Sequence, residues 1–63
     1  MNTMDDELMA YNLGRADGGA GRRDGARADD PQTGADYRMG FLDGRIEVFQ
    51  MLAQVRKFLD DGR

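Results

Sequence analysis

The amino-acid sequence predicts an all-α protein, an antiparallel hairpin of two helices that dimerises into a helical bundle. The pattern Tyr-x-apolar-Gly-x-x-Asp-Gly occurs at residues 11–18 and again at residues 37–44, which indicates two similar helices that meet through glycines. A chain of 63 residues without cysteine is short for a large core and has no disulfide to stabilise it. The apolar residues of its last third cover more than one side of a helix, which favours association with a second copy.

The first helix is expected from about residue 4 to residue 18. Thr3 is a candidate N-terminal cap, because its hydroxyl can accept a hydrogen bond from the first helical turn. Asp5, Asp6 and Glu7 place negative charge where the helix dipole favours it. Apolar residues then recur at helical spacing up to Gly18.

Two structures remain open for the glycine-rich segment that follows. The small residues fall on one stripe at about 100° per residue, which favours a continuous helix to about residue 27 with a face that another helix can approach closely. They are Ala10, Gly14, Gly18, Gly21 and Gly25. Each glycine costs about 1 kcal/mol relative to alanine inside a helix, which favours instead a flexible loop over residues 18–33. In either case Pro31 and its polar neighbours form a turn at about residues 28–33.

The second helix is expected from about residue 34 to residue 60, with Thr33 and Asp36 as its capping signal. It has two apolar stripes. Met39, Leu42, Ile46, Phe49 and Ala53 form the stripe expected to pack on the first helix, and Val48, Leu52, Val55 and Leu59 form the stripe expected to be the dimer interface. Gly14, Gly18, Gly40 and Gly44 are expected at the helix crossing.

Composition narrows the range of functions. Twelve acidic and nine basic residues give a net charge of −3, which favours a protein partner over nucleic acid. The absence of His and Cys excludes imidazole and thiolate metal sites, and no nucleophile–base pair can be assembled, so we expect neither an enzyme nor a cofactor. There is no apolar run of about 20 residues and no signal peptide, so we expect a cytoplasmic protein without a membrane partner.

The repeated tyrosines and aspartates each allow two interpretations. Tyr11 and Tyr37 could stack on a base or a partner side chain, or pack in the hairpin core with the hydroxyl at its edge. Asp17 and Asp43 could act as an acid–base pair, or form salt bridges at the helix surface. The core and surface interpretations are favoured, since nothing else in the sequence completes a reactive site.

The one basic cluster comprises Arg15, Arg22, Arg23 and Arg27, set among glycines. Arginines beside exposed backbone N–H groups can contact phosphate, which would allow RNA or a nucleotide as a ligand. The alternative is a solvated surface on which these arginines pair with Asp24, Asp29 and Asp30. The glycine spacing matches neither a P-loop nor a dinucleotide-binding fingerprint.

The small residues and the arginine, proline and aromatic positions resemble those of the ribosome modulation factor family over about residues 10–46. The resemblance is carried by Ala10, Gly14, Gly18, Gly21-Arg22, Asp30-Pro31, Tyr37-x-x-Gly40 and Gly44-Arg45. It implies a short two-helix chain that binds ribosomal RNA and takes part in ribosome dormancy.

Three functions follow as hypotheses. The leading one is a non-enzymatic homodimer of the phage or mobile-element type, which inhibits a host nucleic-acid-handling or defence complex by occlusion. Its partner-docking acidic face would comprise Asp5, Asp6, Glu7, Asp60 and Asp61. The second is a ribosome-binding modulator that uses the four arginines on RNA phosphate. The third is a protein that sequesters a nucleotide between tyrosine and arginine side chains.

Overall fold

The computed structural model describes residues 3–62, with side chains from Met4 onward. This part of the chain contains three helices and no strand: α1 (Thr3–Ala20), α2 (Gly25–Ala28) and α3 (Gly34–Asp61). The all-α class is confirmed. The side chain of Thr3, which was expected to cap the first helix, lies outside the described residues.

The two long helices α1 and α3 pack side by side and run parallel, so the expected antiparallel hairpin is wrong. Gly40 lies against the backbone of Tyr11 and Arg15. Gly44, one turn further along α3, lies against Arg15 and Gly19, one turn further along α1. Contacts whose residue numbers increase together along both helices occur only when the helices are parallel.

The parallel arrangement depends on the connection over residues 21–33, which returns along the helix pair to the beginning of α1. The backbone N–H of Asp24 donates to the Tyr37 hydroxyl at 2.9 Å. Further along the connection, the carbonyl of Ala28 accepts a hydrogen bond from a guanidinium nitrogen of Arg38. Thr33 then lines the same groove as Asp6 of α1. α3 therefore begins near the first turns of α1 and runs in the same direction.

α1 ends at Ala20, so the continuous helix to residue 27 does not form. Gly21 has φ +72°, a left-handed conformation that residues with a side chain rarely adopt. The N–H of Arg22 donates to the carbonyl of Asp17 at 2.9 Å, and the N–H of Gly21 to that of Gly18 at 3.2 Å. These two bonds form a Schellman motif, which satisfies the last carbonyls of the helix and turns the chain back. The full loop over residues 18–33 is not observed either, because Gly18 and Gly19 are helical and α2 interrupts the connection.

Aspartates organise the connection. Asp24 is the N-cap of α2, where its carboxylate accepts from the N–H of Arg27 at 3.2 Å. The Asp30 carboxylate accepts from the N–H groups of Gln32 and Thr33 at 2.8 and 3.0 Å, and these bonds hold its pKa below its usual value. Thr33 is the N-cap residue of α3, but its side chain makes no capping hydrogen bond.

The core of the described chain is small. Ala10, Ala28 and Tyr37 are buried, with Leu13 and Phe41 packed against them. α3 meets α1 through Gly40 and Gly44. The stripe that begins with Met39 and Leu42, which was expected to pack on α1, does not do so. The reason is steric, because a Cβ at either glycine would overlap the backbone of α1. The close approach of the two helices therefore excludes larger side chains at these two positions.

Candidate functional site

The strongest candidate for a functional surface is the second half of α3, which has no neighbouring helix. Gly44 already contacts Gly19, next to the last residue of α1. Beyond that level α3 continues to Asp61, and every described residue from 49 to 62 is exposed. We name residues 48–61 the projecting half. At about 1.5 Å per residue, it extends roughly 20 Å past the end of α1.

One apolar face of the projecting half continues the face that contacts α1. At about 100° per residue, the four side chains that were expected at a dimer interface lie within roughly 80° of the direction of Gly44. They are Val48, Leu52, Val55 and Leu59. Val48 is half-buried at the end of α1, whereas Leu52 and Leu59 are 56% and 69% exposed. We name these four residues the continuation face.

A second apolar face lies on the opposite side of α3. Met39, Leu42, Ile46 and Phe49 fall within about 40° of the direction opposite to Gly44, and we name them the outer face. Leu42 is 61% and Ile46 50% exposed. Apart from Val48 at the end of α1, neither apolar face packs on α1, so α3 has two apolar surfaces without a partner in the described chain.

The total exposed area is large for the mass of the chain. The accessible surface is 5088 Å², about 1,000 Å² more than the ~4,000 Å² expected of a compact monomer of 7.0 kDa. A stable protein–protein interface buries about 800 Å² on each partner. The excess is therefore large enough to supply one interface.

The repeated tyrosines and aspartates form two reciprocal hydrogen bonds across the helix pair. The Tyr37 hydroxyl donates to the Asp17 carboxylate at 2.5 Å, and the Tyr11 hydroxyl donates to that of Asp43. Burial, together with the bond to Asp17, raises the pKa of Tyr37. The pKa of Tyr11 is raised chiefly by its hydrogen bond to Asp43. Each carboxylate accepts a hydrogen bond from a tyrosine hydroxyl of the other helix, and the two bonds join α1 to α3.

The four arginines of the basic cluster do not form one site. Arg15 pairs with Glu47 of α3 at 2.5 Å, which raises the Arg15 pKa, and Arg27 pairs with Asp24 at 3.4 Å. Arg22 and Arg23 are exposed, and within the described residues neither makes an ion pair. Only these two are free to meet an anionic group of another molecule.

The acidic residues that were expected to form one face lie at opposite ends of the molecule. Asp5, Asp6 and Glu7 are in the first turns of α1, whereas Asp60 and Asp61 end α3. Because the helices are parallel and α3 projects beyond α1, the two groups are separated by roughly 40 Å along the helix direction. The longest dimension of the molecule is 54 Å. A single acidic docking face would need the antiparallel hairpin.

The described residues contain no group of three or more His, Cys, Asp or Glu side chains that could hold a metal ion. A groove on α1 is lined by Leu8, Met9 and Leu13, with Asp5 and Asn12 as its polar residues. No described helix is both long and apolar enough to span a membrane.

Two features of this surface were not found from the sequence. The outer face was assigned to packing on α1, although its separation from Gly40 and Gly44 by about half a turn could have shown that both cannot face the same helix. The reciprocal Tyr–Asp bonds were not recognised, although both residue types recur at the same positions of the repeat.

Comparison with known proteins gave no match to a protein-family model, to a curated protein or to a solved structure. The resemblance to ribosome modulation factors therefore stays a prediction from the residues that carry it.

Proposed function

We propose that this chain is a non-enzymatic binding protein that acts as a homodimer. The observation that supports the proposal is the continuation face, an apolar surface on a helix that projects past the end of α1. Removing a Leu side chain from water contributes roughly 1.5–3 kcal/mol, and a second copy would cover this face on both chains. An isolated helix of 14 residues is marginally stable in water, so the projecting half gains most from such a partner.

Sedimentation analysis of two matched variants tests the homodimer. The unmodified chain is expected to be a dimer at micromolar concentration, and Leu52→Asp is expected to convert it to monomer. Leu42→Asp places the same charge on the outer face of the same helix and should leave the dimer intact. A monomer at tens of micromolar for the unmodified chain would contradict the proposal, as would equal dissociation by both variants.

The outer face would remain exposed in this homodimer, and its apolar side chains favour the binding of a protein partner. An exposed apolar patch around Leu42 and Ile46 is typical of a protein-docking surface, and the net charge of −3 favours a basic partner. We propose that the dimer binds a macromolecular complex of a host cell and inhibits it by occlusion. Capture of one defined complex by the unmodified protein, lost with Ile46→Asp and retained with Asn12→Asp, which adds the same charge at an exposed position of α1, would support this role. Capture unaffected by Ile46→Asp would remove the outer face from it.

A second candidate function, ribosome binding, is supported by the exposed and unpaired Arg22 and Arg23. Their guanidinium groups could contact RNA phosphate beside the turn at Gly21. In that case the unmodified chain should bind ribosomal RNA with an affinity that falls with salt, and Arg22→Ala/Arg23→Ala should weaken binding by about tenfold or more. Binding that is insensitive to this double substitution would exclude these residues as the contact.

The nucleotide-sequestering alternative gains no support from the geometry. Tyr37 is only 1% exposed, and its ring packs against Phe41 with centroids 6.4 Å apart. Tyr37 is therefore not accessible to a base, and Arg15 already pairs with Glu47.

A further inference from the structure

We infer that the two copies pair through their continuation faces with their α3 helices antiparallel, so that the last turn of each α3 lies at the level of Arg22 and Arg23 of the other chain. The inference rests on the proposed homodimer and adds its orientation and the residues that determine it. Two independent observations support it: the position of α1 on the same side of α3 as the continuation face, and the placement of charge along the molecule.

The position of α1 excludes a parallel pair on steric grounds. α1 lies on the same side of α3 as the continuation face and covers that side up to about Val48. Packed helices lie about 8–10 Å apart, so each copy of α3 must occupy the space directly beside the other. In a parallel pair, the first half of each α3 would run into the α1 of the other chain.

An antiparallel pair avoids this clash. If the pair is centred between residues 53 and 54, Val48 of one chain faces Leu59 of the other, and the two projecting halves cover each other completely. The end of each α3 then reaches the level at which the other chain's α1 ends, near Ala20. Outside the region where the two projecting halves pair, the first half of each α3 and the α1 packed on it extend away from the other chain.

The charges along the molecule favour the same orientation. Asp60 and Asp61 lie in the last turn of α3, which contains no basic residue, and negative charge there is unfavourable to the helix dipole. Arg22 and Arg23 follow Gly21, which lies beside α3 at the beginning of the projecting half: a Cβ at Gly21 would be 3.4 Å from a guanidinium nitrogen of Arg45. At about 100° per residue, Asp60 and Asp61 point away from the continuation face, so they attract Arg22 and Arg23 of an antiparallel copy by proximity and not by direct ion pairs. This attraction occurs at both ends of an antiparallel pair, whereas a parallel pair would place the two acidic helix ends together.

Disulfide trapping tests the orientation, because the chain has no cysteine of its own. Val48→Cys and Leu59→Cys are prepared separately, shown to be dimeric by sedimentation under reducing conditions, mixed and oxidised. A disulfide needs Cα atoms within about 7 Å, so we expect the mixed 48–59 product and no 59–59 product. A predominant 59–59 product would overturn the orientation but leave the homodimer, and dimers that form neither product would overturn this register. Monomers in every preparation would overturn the homodimer itself.

Charge reversal tests this attraction between the chains without changing the continuation face. Asp60→Arg/Asp61→Arg and Arg22→Asp/Arg23→Asp should each raise the dimer dissociation constant by roughly tenfold. Mixing the two variants should give a heterodimer of nearly unmodified affinity, because both ends then pair opposite charges. Asp5→Arg/Asp6→Arg is the control for Asp60→Arg/Asp61→Arg, with the same change of net charge at the other end of the molecule, and should have little effect on the dimer. The assignment is overturned if the control weakens the dimer as much, or if mixing restores nothing.

Discussion

At the scale of single residues, glycine determines how closely the two long helices approach. A Cβ at Gly40 would overlap the carbonyl oxygen of Tyr11 and lie 2.9 Å from its carbonyl carbon and from the backbone nitrogen of Arg15. These are backbone atoms that cannot move independently of α1. A Cβ at Gly19 would have no neighbour within 4 Å. The same substitution should therefore have opposite effects at the two positions.

Gly40→Ala is expected to lower the free energy of unfolding by about 2 kcal/mol or more, because α1 and α3 must separate to admit the methyl group. Gly19→Ala is its control, and should be neutral or stabilising by up to about 1 kcal/mol through helix propensity. Urea unfolding followed by circular dichroism measures both. Equal effects of the two substitutions would show that the close approach is not required for stability.

The reciprocal Tyr–Asp bonds make stability sensitive to alkaline pH. Because the folded-state pKa values of Tyr11 and Tyr37 are raised, their contribution is fully present below the unfolded pKa of about 10 and is lost as pH rises through the folded values. Tyr37→Phe should cost about 1–2 kcal/mol at pH 7, since it leaves the Asp17 carboxylate without its donor. Thermal unfolding from about pH 8 to pH 11 measures the effect. In Tyr11→Phe/Tyr37→Phe no tyrosine remains, and a fall in stability as steep as that of the unmodified chain would contradict this origin.

At the scale of the elements, the end of α1 is determined by one residue conformation. Gly21 at φ +72° allows the Schellman motif that turns the chain back toward the start of α3. Gly21→Ala is expected to cost about 1–2 kcal/mol, because the left-handed conformation is strained for a residue with a Cβ. Gly21→Asn should cost less, since asparagine tolerates this conformation better. Chemical denaturation of the three proteins gives the ranking, and an alanine variant as stable as the unmodified chain would contradict it.

At the scale of the whole molecule, the small core is insufficient for the length of helix it supports. Three buried residues and two that pack on them make up the core of the described chain, whereas α3 alone has 28 residues. Small domains of this size are usually stabilised by disulfides, metals or association. The exposed area and the projecting half both support the proposed homodimer as a source of stability.

The stability of the whole molecule is therefore expected to depend on its concentration. The melting temperature should rise by several degrees between about 1 and 100 micromolar, because a dimer is favoured by mass action. Amide hydrogen exchange should slow over residues 48–61 across the same range, while the exchange of Gly14 and its neighbours changes less. A melting temperature independent of concentration would indicate a stable monomer.

The sequence by itself determined the all-α class and the two long helices, which were expected at about residues 4–18 and 34–60 and occur at Thr3–Ala20 and Gly34–Asp61. It also singled out the glycines that lie at the crossing. These features are local, since helical periodicity, helix ends and the absence of a side chain can all be read along a few turns of the chain.

Only the tertiary structure decided the direction of α3, the face that meets α1 and the roles of the tyrosines and arginines. A repeat is compatible with parallel and with antiparallel pairing of the helices. A two-fold axis that runs along the helices relates a parallel pair, and one perpendicular to them relates an antiparallel pair. The path of residues 21–33 decides between them, through contacts such as Asp24 with Tyr37 that join distant parts of the sequence. The parallel direction then separates Asp6 from Asp60 and leaves the projecting half of α3 without a neighbour, for the physical reason that α1 ends before α3 does.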